Sequence, residues 1–406
     1  MKHKNRPVGK PDYAPLLVAA TALAGYLLIF LLLFNRYGDL RDFIFIGKQF
    51  IARSDSSAII KMDPGYAYLE EVPGYDGQFA YFIALDPLNA RYYVDQDRVS
   101  YRYTRILYPM LARSLVLGDP GWIPLSMVLV NLLAVTGGTF AVALWCRERR
   151  LSPWLGLVFA FYIGQVVAFS RDLNEILAYS LVAVAVYLFD HVPQRPILAA
   201  LCFGLSALAR ETTLLFALVY IVALWARTLK DTGDQPGSQS QRWAKVASFG
   251  ALAIGPAVLW QLCLLWWLGD IGWRQGTGLY LVPFANLYKL YPLDEGVLDS
   301  VEAVVIPSTI CLAVCLLQMW RSSQDRRRKE LWVTVLNAVL FVLLLPPDNL
   351  YDIYGSARIA TPVLMGAIYS LPYVRRRLWF PFCTALWIVP TLTYLLNPAI
   401  ELIHPR

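Results

Sequence analysis

Apolar runs, long and repeated along the whole chain, are the strongest constraint on what this sequence can fold into. They predict spans over 14–34, 122–146, 153–169, 174–190, 196–209, 211–226, 244–268, 303–320, 331–347, 358–373 and 379–397. An apolar stretch of roughly 20 residues crosses hydrocarbon as a helix, because a helix satisfies its backbone polar groups within the segment. Composition agrees: 57% of the 406 residues are apolar and 16% are charged, an apolar share above that of soluble domains. The expected fold class is an all-α integral membrane protein of about eleven transmembrane helices, a single polytopic domain over 1–406. The first run lacks a small-residue cleavage site after it and reads as a span, not a removable leader.

Lys and Arg in the short connections set the orientation. Lys2, Lys4, Arg6 and Lys10 place the N-terminus in the cytoplasm. Arg147, Arg149, Arg150, the segment 227–245, Arg321, Arg326 to Arg328, Lys329 and Arg375 to Arg377 then fall inside as well. Eleven spans satisfy these clusters together and leave the C-terminus outside, in a cell (inner) membrane. The formal charge of +7 is scattered over separate cytoplasmic turns, so it implies no nucleic-acid partner. Cys146, Cys202, Cys263, Cys311, Cys315 and Cys383 lie in or at the ends of apolar runs, which predicts no disulfide framework. The segment 228–242, rich in Gly, Ser, Gln and Asp, reads as a flexible cytoplasmic linker.

Acidic residues divide unevenly in this topology. Asp12, Glu148, Asp190, Asp231, Asp234, Asp325 and Glu330 are cytoplasmic, and the rest of the 29 are external. The external loops are 35–121, 269–302 and 348–357. A first loop as long as 35–121 is expected to hold structure of its own. Short helices are predicted over 42–51 and 75–85, the second stopped by Asp86-Pro87. The segment 105–117 is too short to span and reads as an interfacial helix.

Several chemistries fall away. There is no Walker A pattern, and Gly276-Thr277-Gly278 follows no strand. The histidines are His3, His191 and His404, none in a large external loop, which argues against a histidine base, a Ser/His/Asp triad or a His-ligated zinc. An external acid–base group is then a carboxylate. Asp76 is the first candidate: Gly74 and Gly77 allow close backbone approach, and Tyr75 and Phe79 offer surfaces for a sugar. The same residues also suit a turn with a solvated Asp. Asp39 and Asp42, just beyond the first span, are further catalytic candidates, or a helix N-terminus favoured by the macrodipole. Asp86, Asp95 and Asp97 read as loop surface.

Tyr75 and Gln78 are candidate substrate contacts. Among external cations, Arg102, Arg105, Arg113, Arg210, Arg274, Lys289 and Arg358 suit a phosphate, Arg especially through its bidentate fork. For Arg102 and Arg105, ordinary attraction to anionic headgroups is the competing reading. Arg171, Asp172 and Glu175, with Arg210-Glu211 at the join of two apolar runs, mark either a site or a mutual structural ion pair. Asp348 and Asp352, in an aromatic-rich loop before Arg358, suit a sugar-binding rim or an interfacial aromatic belt.

These residues resemble the polytopic glycosyltransferases of the GT-C superfold, which use polyprenyl-phosphate-linked sugars. Tyr75-Asp76, then Phe79 to Ala84, then Arg105-Ile106-Leu107-Tyr108-Pro109 is similar to the GPI-mannosyltransferase-like branch. There an aromatic–Asp pair precedes a helix, and an aromatic-rich segment ending in Tyr-Pro follows. This chain departs from that branch in carrying Tyr75 in place of Trp, and Gly77-Gln78 in place of less polar residues. The resemblance implies Asp76 as base, with Asp39 or Asp42 at the position other branches use. It implies a lipid-linked sugar donor, a glycan, lipid or protein acceptor, and membrane lipids around the chain. No cofactor is required by these residues, and a divalent metal is left open. The alternatives are a polymerase or ligase of undecaprenyl-linked saccharides, a polytopic transporter or flippase, and a non-catalytic scaffold.

Overall fold

The computed structural model describes residues 13–49, 74–94, 98–192, 195–230, 238–275, 282, 294–325, 328–340, 350–351, 353–374, 379, 384, 387–388 and 391–392. Helices dominate, and no β-strand is formed among the described residues. α1 (Ala14–Tyr37) leads through a 3-10 turn (Leu40–Phe43) into the first loop, whose described helices are α2 (Gly77–Leu85), α3 (Val99–Tyr103) and α4 (Leu107–Leu115). The bundle continues with α5 (Ile123–Glu148), α6 (Leu155–Ala160), α7 (Ile163–Ser170), α8 (Glu175–His191), α9 (Pro196–Ala209), α10 (Leu214–Lys230) and α11 (Ser238–Leu268). Then come α12 (Glu295–Ser300), a π-helical turn (Val301–Val305), α13 (Ile306–Arg321), α14 (Lys329–Ala338) and α15 (Ile353–Ser370).

Polarity is distributed as a bilayer requires. Leu28, Leu31 and Leu32 of α1, Leu259 and Trp266 of α11, and Trp320 of α13 point outward and are exposed, Trp266 at 88%. Asn131, Thr139, Gln165, Ser180, Ser206 and Thr334 are buried between helices. Water would reverse this arrangement; lipid, as apolar as leucine, leaves packing and internal hydrogen bonds to hold helices together. Among the described residues, five helical segments are long and apolar enough to cross a membrane: Ala14–Arg36, Pro120–Glu148, Glu211–Leu229, Gln239–Leu268 and Gly296–Arg321.

The remaining expected runs form shorter or interrupted helices, or lie partly outside the described residues. The run 153–169 is not one helix: α6 ends at Ala160, and Tyr162 is extended at φ −62°, ψ 136° before α7. The carbonyl freed at Ala160 accepts a hydrogen bond from the buried Tyr26 hydroxyl at 2.6 Å, so the break is tolerated inside protein. α9 is a shorter apolar helix. α8 carries Glu175 and Asp190 at its two ends. α15 starts five residues earlier than expected, and Pro362 withdraws the donor that Arg358 C=O would otherwise receive. The run 379–397 falls largely outside the described residues. α10 and α11 extend into the expected 228–242 linker from both sides, because its flanks, Thr228 to Lys230 and Ser238 to Arg242, carry helix-compatible residues.

In the core, α8 packs between α5 and α9, α9 on α11, α1 on α5, and α15 against α7 and α14. The first loop folds onto one end of this bundle with its own apolar cluster. Phe82, Tyr93, Tyr103 and Tyr108 bury against Ile123, Met127, Ala178 and Leu264 of α5, α8 and α11. The predicted 75–85 helix forms as α2 and ends at Asp86, and the 105–117 helix forms as α4. Of the predicted 42–51 helix, the start is instead the end of the 3-10 turn, which Asp39 caps by accepting from Arg41 N–H at 2.8 Å; Lys48 and Gln49 are helical, and 50–51 lie outside the described residues.

Candidate functional site at the first-loop end of the bundle

α2 is anchored by its first turn. Gly74 has φ 77°, a left-handed conformation that suits glycine. At Gly77 a Cβ would stand 2.3 Å from the Arg171 carbonyl oxygen and 3.1 Å from that of Ile44. Only glycine lets the helix start settle on the 171–172 turn. The Gln78 side chain, buried, accepts from Gly47 N–H at 3.3 Å, and Tyr75 N–H donates to Phe45 C=O at 3.0 Å. Tyr75 and Gln78, expected as substrate contacts, therefore also lock the 44–47 segment to α2.

This anchoring delivers Asp76 into a set of guanidinium groups. Arg102 Nη1 donates to Asp76 Oδ1 at 3.0 Å, and Arg358 Nη1 to Oδ2 at 2.7 Å. Asp76 is 26% exposed, so it is not the solvated turn residue its flanking glycines also allowed. Burial works to raise its pKa, but Arg358, Arg102 and Arg105 outweigh this and hold the carboxyl well below the usual range. Arg102 lies over the Phe79 ring at 3.6 Å, and Arg358 beside the Tyr75 ring at 4.9 Å.

The charged pairs expected around 171–175 and 210–211 join the same set. Arg210 donates to Glu175, and Arg358 Nη1 lies 3.4 Å from the same Glu175 oxygen. Glu211 pairs with Arg105 at 2.9 and 3.1 Å, and the Tyr101 hydroxyl accepts from Arg105 at 2.6 Å. Burial disfavours the Arg105 charge, yet Glu211 and Tyr101 more than compensate and hold its pKa well above the ordinary value. Asp76, Arg102, Arg105, Glu175, Arg210, Glu211 and Arg358 thus form one network contributed by five separate stretches of chain.

Asp172 stands apart from that pairing. Its carboxyl is fully buried, and neither oxygen has a hydrogen-bond partner among the described residues. Its backbone is left-handed at φ 47°, an uncommon conformation for a residue with a side chain. Burial pushes its pKa well above the carboxylate range, moderated by the neighbouring polar groups of Asn131 and Tyr108. The Glu175 Oε2, Arg210 Nε and Arg358 Nε atoms are likewise buried without a partner among the described residues. Each such atom costs about 1–3 kcal/mol if it stays without a partner. Asp76, Arg102, Arg105, Phe79, Tyr101 and Asp172 line a small cavity of about 30 Å³, room for a water molecule and too small for a sugar.

Other predicted residues lie elsewhere. Asp39 is engaged locally by Arg41, whose guanidinium outweighs burial and lowers its pKa. Asp42 sits in the first turn of the 3-10 segment, and neither acid lines the cavity. Arg113 donates to the Ala84 and Leu85 carbonyls at 2.8 and 2.9 Å, capping α2. Arg274 is mostly exposed beside Asp270. Asp352, Asp348, Lys289 and Gly276–Gly278 fall outside the described residues. The described residues hold no group of three or more His, Cys, Asp or Glu side chains spaced for a metal ion. Sequence reasoning placed Asp172 within a salt-bridge group and gave Tyr101 no role; the signal for Asp172 was its charge at membrane depth. Compared with protein-family models, curated proteins and solved structures, the chain has no match.

Proposed function

We propose that the protein is a membrane glycosyltransferase that moves one sugar from a polyprenyl-phosphate donor to an acceptor hydroxyl on the extracytoplasmic face. The observation that carries this reading is the Asp76 carboxylate held between Arg102 and Arg358 in a buried cavity at one end of an apolar bundle. A lipid phosphate needs cationic partners at the membrane surface, and arginine supplies them in bidentate geometry. On an external face, lipid-linked sugars rather than nucleotide sugars are at hand.

The reaction follows from competition for the same guanidinium groups. With both oxygens engaged, Asp76 is a weak base. A donor phosphate that draws Arg102 and Arg358 toward itself frees a carboxylate oxygen and raises its basicity. Asp76 then takes the acceptor hydroxyl proton, the hydroxyl oxygen bonds to the anomeric carbon, and the carbon–phosphate-oxygen bond breaks. Its electron pair leaves with the lipid phosphate, which Arg102, Arg105 and Arg358 stabilise. A single displacement inverts the anomeric centre. Entry of a sugar requires the roughly 30 Å³ cavity to widen, and Arg102 on the short α3 borders it on the loop side.

The test is to supply purified protein in liposomes with labelled polyprenyl-phosphate monosaccharides, undecaprenyl-linked oligosaccharides and nucleotide sugars. Addition of one sugar from the first class is the expected result. Transfer of whole oligosaccharides would replace the proposal with a polymerase, and movement of label across the bilayer without bond cleavage would replace it with a flippase.

A further inference from the structure

The opposite end of the bundle carries a second set of charges. α8 joins the two: Glu175 begins it and Asp190 stands near its end, about 22 Å away at about 1.5 Å per residue. Lys329 Nζ contacts Asp190 at 2.8 Å and Glu330 at 2.6 Å. Arg149 reaches Asp190 at 3.1 Å, Glu330 at 3.7 Å and the Tyr373 hydroxyl at 2.8 Å. Trp145 Nε1 donates to Asp190 at 2.9 Å.

Beside this network, α10 and α14 line a cavity of about 710 Å³. Its long wall is apolar. Leu218, Val222 and Ala226 recur at every fourth residue of α10, which places them on one face, and Trp332 and Leu336 do the same on α14. Leu218, Val222 and Trp332 are exposed. Its other end is cationic, lined by Arg149, Arg227, Arg328 and Lys329 against the single acid Glu330. These cations are not all spent on one another's acids. Arg227 makes no ion pair among the described residues and lies 5.7 Å from the Phe189 ring centre. Arg328 pairs, among the described residues, with Asp325 alone at 3.9 Å and lies over the Tyr373 ring at 4.8 Å. Arg149 Nε is buried without a hydrogen-bond partner among the described residues.

A groove with a hydrocarbon-sized apolar wall and unspent guanidinium groups at one mouth fits a molecule that is apolar along its length and anionic at its head. The geometry points to a binding site for one anionic glycerophospholipid of the leaflet on this side. An acyl chain lies along Leu218, Val222 and Ala226 opposite Trp332 and Leu336, and the phosphodiester meets Arg227 and Arg328, with Arg149 behind. Basic pockets between membrane helices take anionic headgroups on these terms. The site lies at the far end of α8 from Asp76, and it rests on the chain's membrane embedding and not on the proposed transferase activity.

Native mass spectrometry of the detergent-purified full chain tests this, with phosphatidylglycerol, phosphatidylcholine and glycerol 3-phosphate as separate probes. The expected result is retained phosphatidylglycerol on the wild type, weak phosphatidylcholine, and no glycerol 3-phosphate. Arg227→Ala with Arg328→Ala lowers phosphatidylglycerol occupancy at least about tenfold. Val222→Trp, which fills the groove and leaves the charges in place, lowers it as well. Equal retention of phosphatidylglycerol and phosphatidylcholine, unchanged retention in both variants, or binding of glycerol 3-phosphate as tight as the lipid's would each overturn the proposal.

Discussion

Asp76 and Asp172 line one cavity, and their surroundings push them in opposite directions. Asp76 is ionised at any physiological pH because guanidinium groups surround it. Burial pushes the pKa of Asp172, which stands apart from those pairs, well above the carboxylate range. The consequence for stability has a definite sign. A carboxyl whose pKa is raised by folding stabilises the folded state below its unfolded pKa, and that contribution is lost as pH rises through the folded pKa. Thermal stability of the wild type should therefore fall as pH climbs from the ordinary carboxylate range toward neutrality, while Asp172→Asn, which cannot ionise, should flatten that part of the profile. Parallel melting curves for the two proteins across this window would show that Asp172 is not buried in the way described. Much of the site at this scale was legible. Asp76 stood out through its glycine and aromatic neighbours, Arg102, Arg105 and Arg358 as external cations suited to a phosphate, and Arg210-Glu211 as costly charges at the join of two apolar runs. Their partners did not. Asp76 and Arg358 are 282 residues apart, and only the packing of α2 and α15 onto one bundle end brings them together.

Elements were legible where local chemistry decides them. The glycines around Asp76, the stop at Asp86-Pro87 and the apolar spacing of 105–117 gave α2 and α4 nearly as they stand. The break between α6 and α7 was hidden, because nothing in an apolar run announces that a tyrosine hydroxyl from α1 will accommodate a freed carbonyl. The start of α2 is the element on which the site depends most. Gly77→Ala drives a methyl against the Arg171 and Ile44 carbonyls, and the backbone must shift at a cost of about 1–3 kcal/mol. Gly137→Ala in α5 meets nothing within 4 Å and removes a flexible residue from a helix, for a gain of about 0.5–1 kcal/mol. Melting temperatures of the two variants should thus move in opposite directions, and the same stability for both would rule out the tight α2 contact.

For the molecule as a whole, the inverted polarity of the bundle and the two charge networks are parts of one design. Apolar side chains face outward, small polar ones pack between helices, and the costly charges gather at the two ends of α8. Arg149 and Lys329 stand with Asp190 at one end, and Asp76 and Arg358 with Glu175 at the other. Apolar length alone announced the membrane class. The number of spans was less legible, since α8 and α15 carry charges that only the other helices shield. The central claim is that sugar transfer occurs at the Asp76 end and depends on its carboxylate. The most direct measurement is the rate of single-sugar transfer from a polyprenyl-phosphate donor by wild-type and Asp76→Asn protein in liposomes, at matched reconstitution and with folding checked by melting. The account predicts a loss of at least about 100-fold in Asp76→Asn; transfer at the wild-type rate would contradict it.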